Sequence, residues 1–132
     1  MEDDDLYVAK STLQDAGKGL FTKKIIKKGS LICYFTGELI NEAQATKKSD
    51  GERGRYFIQL SSGKILDTYH SRSLARWAND ARNKAKNNGK IYSTENGAGA
   101  YIWSTKDIAH GDEIFVDYGV QYWKKIDEEK SL

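Results

Sequence analysis

Twelve glycines and no proline divide this 132-residue chain into short apolar runs, and that punctuation constrains the fold more than any other feature. Glycine supplies the positive backbone angles that tight turns between short strands need. The expected class is mainly β with a few short helices. Strands are predicted around Tyr7-Val8-Ala9-Lys10, after the turn Gly17-Lys18-Gly19, over Leu31 to Phe35, and over Ala100 to Ser104. Tyr56 to Leu60, the turn Ser61-Ser62-Gly63 and Lys64-Ile65-Leu66 read as a hairpin. Asn41 and Gln44 have the spacing of a capping box at a helix start. Leu74, Trp77 and Ala78 fall at helical spacing, which predicts a short helix over residues 71–79. Another is expected over residues 120–130.

The length fits one domain with a modest core, taken as residues 1–132. Residues 1–5, with Glu2, Asp3, Asp4 and Asp5, read as a disordered acidic tail and not as a secretory signal. A net charge of +2 does not by itself argue for nucleic acid. No apolar run approaches the length of a membrane span. The single cysteine, Cys33, excludes an internal disulfide; it lies in the apolar run 31–35 and reads as buried in an intracellular protein. His70 and His110 are isolated, so no metal site is expected. Trp77, Tyr101 and Trp103 read as core. Tyr56 reads equally as core strand or as wall of a binding channel. The basic run Arg82 to Lys90 reads as a solvated loop, or as a contact for an acidic partner or a nucleic-acid backbone.

The chain's most specific stretch is His110-Gly111-Asp112-Glu113-Ile114-Phe115-Val116-Asp117-Tyr118-Gly119. As local structure it is a turn followed by a short strand. It also resembles the closing G-(E/D)-E-(L/I)-x-x-D-Y-G signature of SET-domain protein lysine methyltransferases. Three earlier blocks match the same family in order. Gly17 to Phe21, Ile26 to Gly29 and Phe35 to Ile40 are similar to G-x-G-L-F, I-x-K-G and Y-x-G-E-x-I. Ile65-Leu66-Asp67-Thr68 is similar to a strand ending in (I/V)-D-A, and Leu74 to Asp80 to A-R-F-I-N-H. Lys106-Asp107-Ile108 resembles the R-D-I that precedes the closing signature. Each block is weak alone; their common order over nearly the whole chain is specific. The likeness is to a minimal free-standing SET domain, such as some large DNA viruses encode.

The resemblance implies the SET fold, with small curved sheets and a C-terminal segment threaded beneath another loop. It implies methyl transfer from S-adenosylmethionine to a lysine amine, with histone tails as the leading substrate, nucleosomes as a further one and the nucleus or a host nucleus as the location. Tyr118 would stand at the methyl-transfer point. Gly17, Lys18 and Gly19 would hold the methionine end of the cofactor, and Asn79 and Asp80 would approach the adenine mainly through backbone groups. Tyr122 and Trp123, in a C-terminal segment 120–132 that covers the site, would close over the adenine or shape the channel mouth, or simply anchor the segment. Phe35, Tyr56 and Val116 would line the lysine channel. A homodimer is compatible with so short a chain.

Three residues depart from the family's pattern. Asp80 stands where the family has histidine, and the serine and proline that follow there are missing. Phe35 replaces a tyrosine; its neighbour Tyr34 should point to the opposite face of the strand. Val116 replaces a larger aromatic side chain, which implies room for multiple methylation. The first two departures motivate an alternative, a non-catalytic SET domain that binds peptide or chromatin. A basic nucleic-acid-binding β domain is a third reading.

Overall fold

A computed structural model describes residues 3–48 and 56–118. Their strands form three small sheets. The first contains β1 (Leu6–Lys10), β2 (Lys18–Thr22) and β9 (Glu113–Ile114), in the order β1-β2-β9. The second has the order β10-β7-β8-β3, from β3 (Leu31–Phe35), β7 (Gly89–Ser93), β8 (Ala100–Ser104) and β10 (Val116–Asp117). The third has the order β4-β6-β5, from β4 (Glu38–Ile40), β5 (Phe57–Gln59) and β6 (Ile65–Asp67). All pairings are antiparallel except that of β10 with β7.

Period-2 alternation builds the core. The inward residues of the second sheet, including Cys33, Phe35, Ile102 and Val116, are buried and pack with Leu20, Ile26, Ile108 and Ile114, and a register shift in β3 between Leu31 and Cys33 lets Ile32 be buried as well. Ile26 and Ile108 exchange backbone hydrogen bonds at 2.9 and 2.8 Å, so two of the sequence blocks meet directly. Cys33 is a buried thiol, as its apolar run predicted.

Several local expectations hold in atomic detail. The helix α1 (Glu42–Lys48) starts at a reciprocal cap: the Asn41 N–H donates to Gln44 Oε1 and the Gln44 N–H to Asn41 Oδ1, each at 2.9 Å. The hairpin of β5 and β6 turns at Gly63, where φ is +88°.

Others are corrected. The helix expected over 71–79 is a single 3₁₀ turn, Leu74–Trp77, capped by the Ser73 hydroxyl. It stops there because Ala78 is extended and Asn79 pairs with Phe115. The solvated reading of 82–90 covers only its first part, since β7 begins at Gly89. The closing strand is two strands, β9 and β10, which belong to different sheets. Trp77 is half-buried and packs against the edge of the core, whereas Tyr101 is half-buried and Trp103 exposed on an outer face, so the last two are not core residues. Tyr101 and Trp103 alternate with the buried Ala100, Ile102 and Ser104, which turns them to the outer face of β8. Asp3–Asp5 forms a 3₁₀ turn, not a loose tail: Lys23 N–H donates to the Asp5 carbonyl, and Lys24 pairs with the Asp5 carboxylate at 2.9 Å. The helix expected over 120–130 lies outside the described residues.

Candidate active site

The segment 113–118 runs between two neighbours and is hydrogen-bonded to both. On one side β9 pairs with β2. On the other, Val116 N–H donates to the Asn79 carbonyl at 2.8 Å, and β10 runs parallel to β7. Asn88 ties the crossing together. Its carboxamide donates to the Glu113 carbonyl at 3.0 Å and accepts from the Phe115 N–H at 2.9 Å, while the Phe115 carbonyl accepts from the backbone N–H groups of Asn88 and Gly89. A Cβ at Gly89 would press on Ile102 and Val116, so a glycine lets the strands approach here.

This crossing brings Tyr118 to the segment 78–80. The Tyr118 hydroxyl donates to the Ala78 carbonyl at 2.5 Å, and its backbone N–H donates to Asp80 Oδ2 at 2.9 Å. The other Asp80 oxygen accepts from the Arg82 N–H at 2.7 Å and the Asn87 amide at 3.1 Å. The Asp80 carboxylate is buried, and these bonds hold it in the loop. The sequence reading assigned Asp80 mainly a backbone role toward the adenine; its side chain holds the Tyr118 backbone.

Glu113 is the second buried carboxylate of the site. It accepts from the Ser11 hydroxyl, the Thr12 N–H and the Thr12 hydroxyl, each at 2.7 Å. The Asn79 carboxamide reaches Glu113 at 3.5 Å and donates to the Lys18 carbonyl at 2.9 Å. A Cβ at Gly19 would overlap the Glu113 carboxylate. Gly17, with φ of +70°, has open space where a side chain would be. The glycine turn, Asn79 and the closing segment are therefore one connected unit.

An aromatic and cationic row lies beside it. The Arg76 guanidinium sits 4.8 Å from the Tyr56 ring centroid and 5.0 Å from that of Trp77, and Lys18 Nζ is 5.8 Å from Trp77. Trp77 also packs against the core, and reading it only as core missed this placement. Its position one residue after Arg76 and two before Asn79 was the available signal.

The remaining candidates lie as follows. Phe35 is buried in the core cluster, while Tyr34 is 54% exposed on the opposite face. Val116 is fully buried in the same cluster. Tyr56 is half-buried, with its ring edge-on to Tyr69 at 5.3 Å. Tyr122 and Trp123 lie outside the described residues. Among those described, no group of three or more His, Cys, Asp or Glu side chains is placed to hold a metal ion, and no helix is long and apolar enough to cross a membrane.

The family profile of the SET domain matches residues 17–119. The histone-lysine N-methyltransferase set9 of Aspergillus fumigatus is 31% identical, over 85% of this chain and 17% of its own length. The histone-lysine N-methyltransferase mes-4 of Caenorhabditis elegans is 25% identical, over 79% of this chain and 13% of its own. Among solved structures, ctPRC2 in an autoinhibited conformation bound to S-adenosylmethionine superposes with a TM-score of 0.71 at 27% identity, covering 96% of this chain and 17% of that one. The chain thus spans under a fifth of each of these relatives.

Proposed function

The chain belongs to the SET-domain family, and from that premise we propose that it transfers a methyl group from S-adenosylmethionine to a lysine side chain, with histone as the substrate. One observation carries the reading. Tyr118 is fixed by both its hydroxyl and its backbone to the segment 78–80, and Asn79 in that segment touches the glycine turn.

The residues around the turn fit the zwitterionic end of the cofactor. Gly17 leaves its outer side open, Lys18 is exposed and cationic, and Asn79 offers a half-exposed carboxamide. Together they present a cation for a carboxylate, with amide and carbonyl groups for an ammonium. We assign Gly17, Lys18, Gly19 and Asn79 to that end, Asp80 to the adenine side through its backbone, and Tyr122 and Trp123 to its cover. When bound, S-adenosylmethionine supplies the methyl group and a sulfonium charge that disfavours a protonated amine beside it.

The protein's own task is to orient a lysine whose free amine has a pKa of about 10.4. The Tyr118 proton is committed to the Ala78 carbonyl, so its oxygen presents acceptor lone pairs. Those lone pairs suit an N–H of the incoming lysine. Tyr56, beside the Arg76 guanidinium, is assigned to the channel wall; Phe35 and Val116, both buried in the core, would shape the channel from within. Alignment of this kind lowers barriers by about 7–11 kcal/mol in model reactions. Histone as substrate implies action in the nucleus, or in a host nucleus.

Incubation with S-adenosylmethionine and core histones, read by mass spectrometry, tests the proposal. Methyl groups added to a histone lysine are expected. Absence of methyl-lysine on histones and on proteins of a whole-cell extract would refute it.

A further inference from the structure

The outer face of the second sheet carries a continuous aromatic surface. Tyr101 is central. Tyr92 stacks beside it at 5.9 Å, and Tyr34 and Trp103 meet it edge-on at 6.0 and 6.3 Å. The strand register explains the cluster, since Tyr34, Tyr101 and Tyr92 are direct cross-strand partners. Tyr34, Tyr92 and Trp103 are 54%, 40% and 38% exposed. The opposite face of the same sheet is core, so these rings add nothing to the fold's interior. Large rings turned outward together mark a contact surface.

The charges around this surface are uneven. Lys90 is the cross-strand partner of Trp103, and its ammonium lies 5.3 Å from the Tyr92 ring, on the aromatic face itself. At the Trp103 end β7 and β3 begin and β8 ends, so three loops converge there. Lys106 reaches across this end to the carbonyls of Lys84 and Ala85 at 2.9 and 2.7 Å, which gathers Lys84, Lys86 and Lys106 at one edge. Lys27 and Lys28 are exposed in the turn before β3, which is hydrogen-bonded to Ser104 and Asp107. Two exposed carboxylates among the described residues lie at this end: Asp107, which accepts the Lys28 N–H, and Asp117, the cross-strand register partner of Lys90. Six lysines against two aspartates make this edge basic, and a net charge of only +2 leaves the rest of the chain slightly acidic.

We infer that this face binds single-stranded nucleic acid. The lysine edge matches a phosphate backbone, and the exposed rings match unpaired bases, which stack on aromatic side chains whatever their sequence. A duplex hides its base faces and would meet only the lysines. The surface lies on the far side of the sheet from the core, and the Tyr118 hydroxyl is not part of it, so this inference stands independently of the methyl-transfer reading.

Fluorescence anisotropy of the full chain with labelled oligouridylate, oligothymidylate and a mixed-sequence duplex, over a salt series, tests this. Binding to one or both single strands, tighter than to the duplex, is expected; comparison of the two separates RNA from DNA. Tyr101→Ala and Trp103→Ala should each weaken it about 10-fold, given a typical loss per stacked base. Lys90→Ala should reduce the slope of log affinity against log salt by about 0.7. Circular dichroism confirms that the variants are folded. No binding, equal preference for duplex, or unchanged affinity in folded Tyr101→Ala and Trp103→Ala would overturn the inference. Self-association that Trp103→Ala abolishes, with no oligonucleotide binding, would assign the face to a second copy instead.

Discussion

The Asp80 carboxylate accepts the backbone N–H of Tyr118 at 2.9 Å, across 38 positions of sequence. The same carboxylate holds Arg82 and Asn87, so one buried anion fixes both the loop and the tyrosine it faces. Asp80→Ala leaves these donors without their acceptor, at about 1–3 kcal/mol for each that water cannot reach. Small displacements at a reacting centre are costly, so kcat is expected to fall about 100-fold. Cofactor affinity, measured by calorimetry, is expected to change far less, because Asp80 is assigned to the cofactor through its backbone. Asp80→Asn keeps one acceptor oxygen and should recover part of the rate. An equal loss of kcat and cofactor affinity in both variants would contradict a positioning role.

Glu113 joins the closing segment to the first sheet through Ser11 and Thr12. Glu113→Ala removes a buried charge that accepts hydrogen bonds from both residues. A loss of about 3 kcal/mol in denaturant-derived stability is expected, since bonds to charged groups each contribute about 1.5–3 kcal/mol. Ser11→Ala alone should cost less, about 1–2 kcal/mol, because the Thr12 bonds remain.

Gly89→Ala tests the crossing itself. Its added methyl group meets Ile102 and Val116 in a packed core. Overpacking of this kind costs about 1–3 kcal/mol. Because β10 leads directly to Tyr118, methyl transfer should fall more than stability alone explains. An unchanged rate in a folded Gly89→Ala protein would show that the register of β10 and β7 does not position the tyrosine.

The sequence was most legible where local rules decide the outcome. The Asn41–Gln44 cap and the hairpin turn at Gly63 depend on residues a few positions apart, and both form as expected. Long-range pairing was the illegible part. Nothing in Phe115's own neighbours shows that the strand divides there between two sheets; Asn88 and Asn79 dictate it from 27 and 36 positions away. The outward rings of Tyr101 and Trp103 were misread because aromatic residues usually lie in cores, although the alternation with Ala100, Ile102 and Ser104 was visible. Asp80 was legible as a departure from the family's histidine; its bond to Tyr118 required the fold.

The most direct test follows labelled methyl groups from S-adenosylmethionine into core histones, with wild type and Tyr118→Phe compared at equal folded concentration. Removing the hydroxyl deletes the bond to Ala78 and the acceptor it presents to lysine. The account predicts label on a lysine with wild type and a loss of about 100-fold with Tyr118→Phe, the scale of losing one aligned polar group at a reacting centre. Equal labelling by the two proteins would contradict Tyr118 as the residue at the transfer point, and no labelling of any protein by wild type would contradict methyl transfer itself.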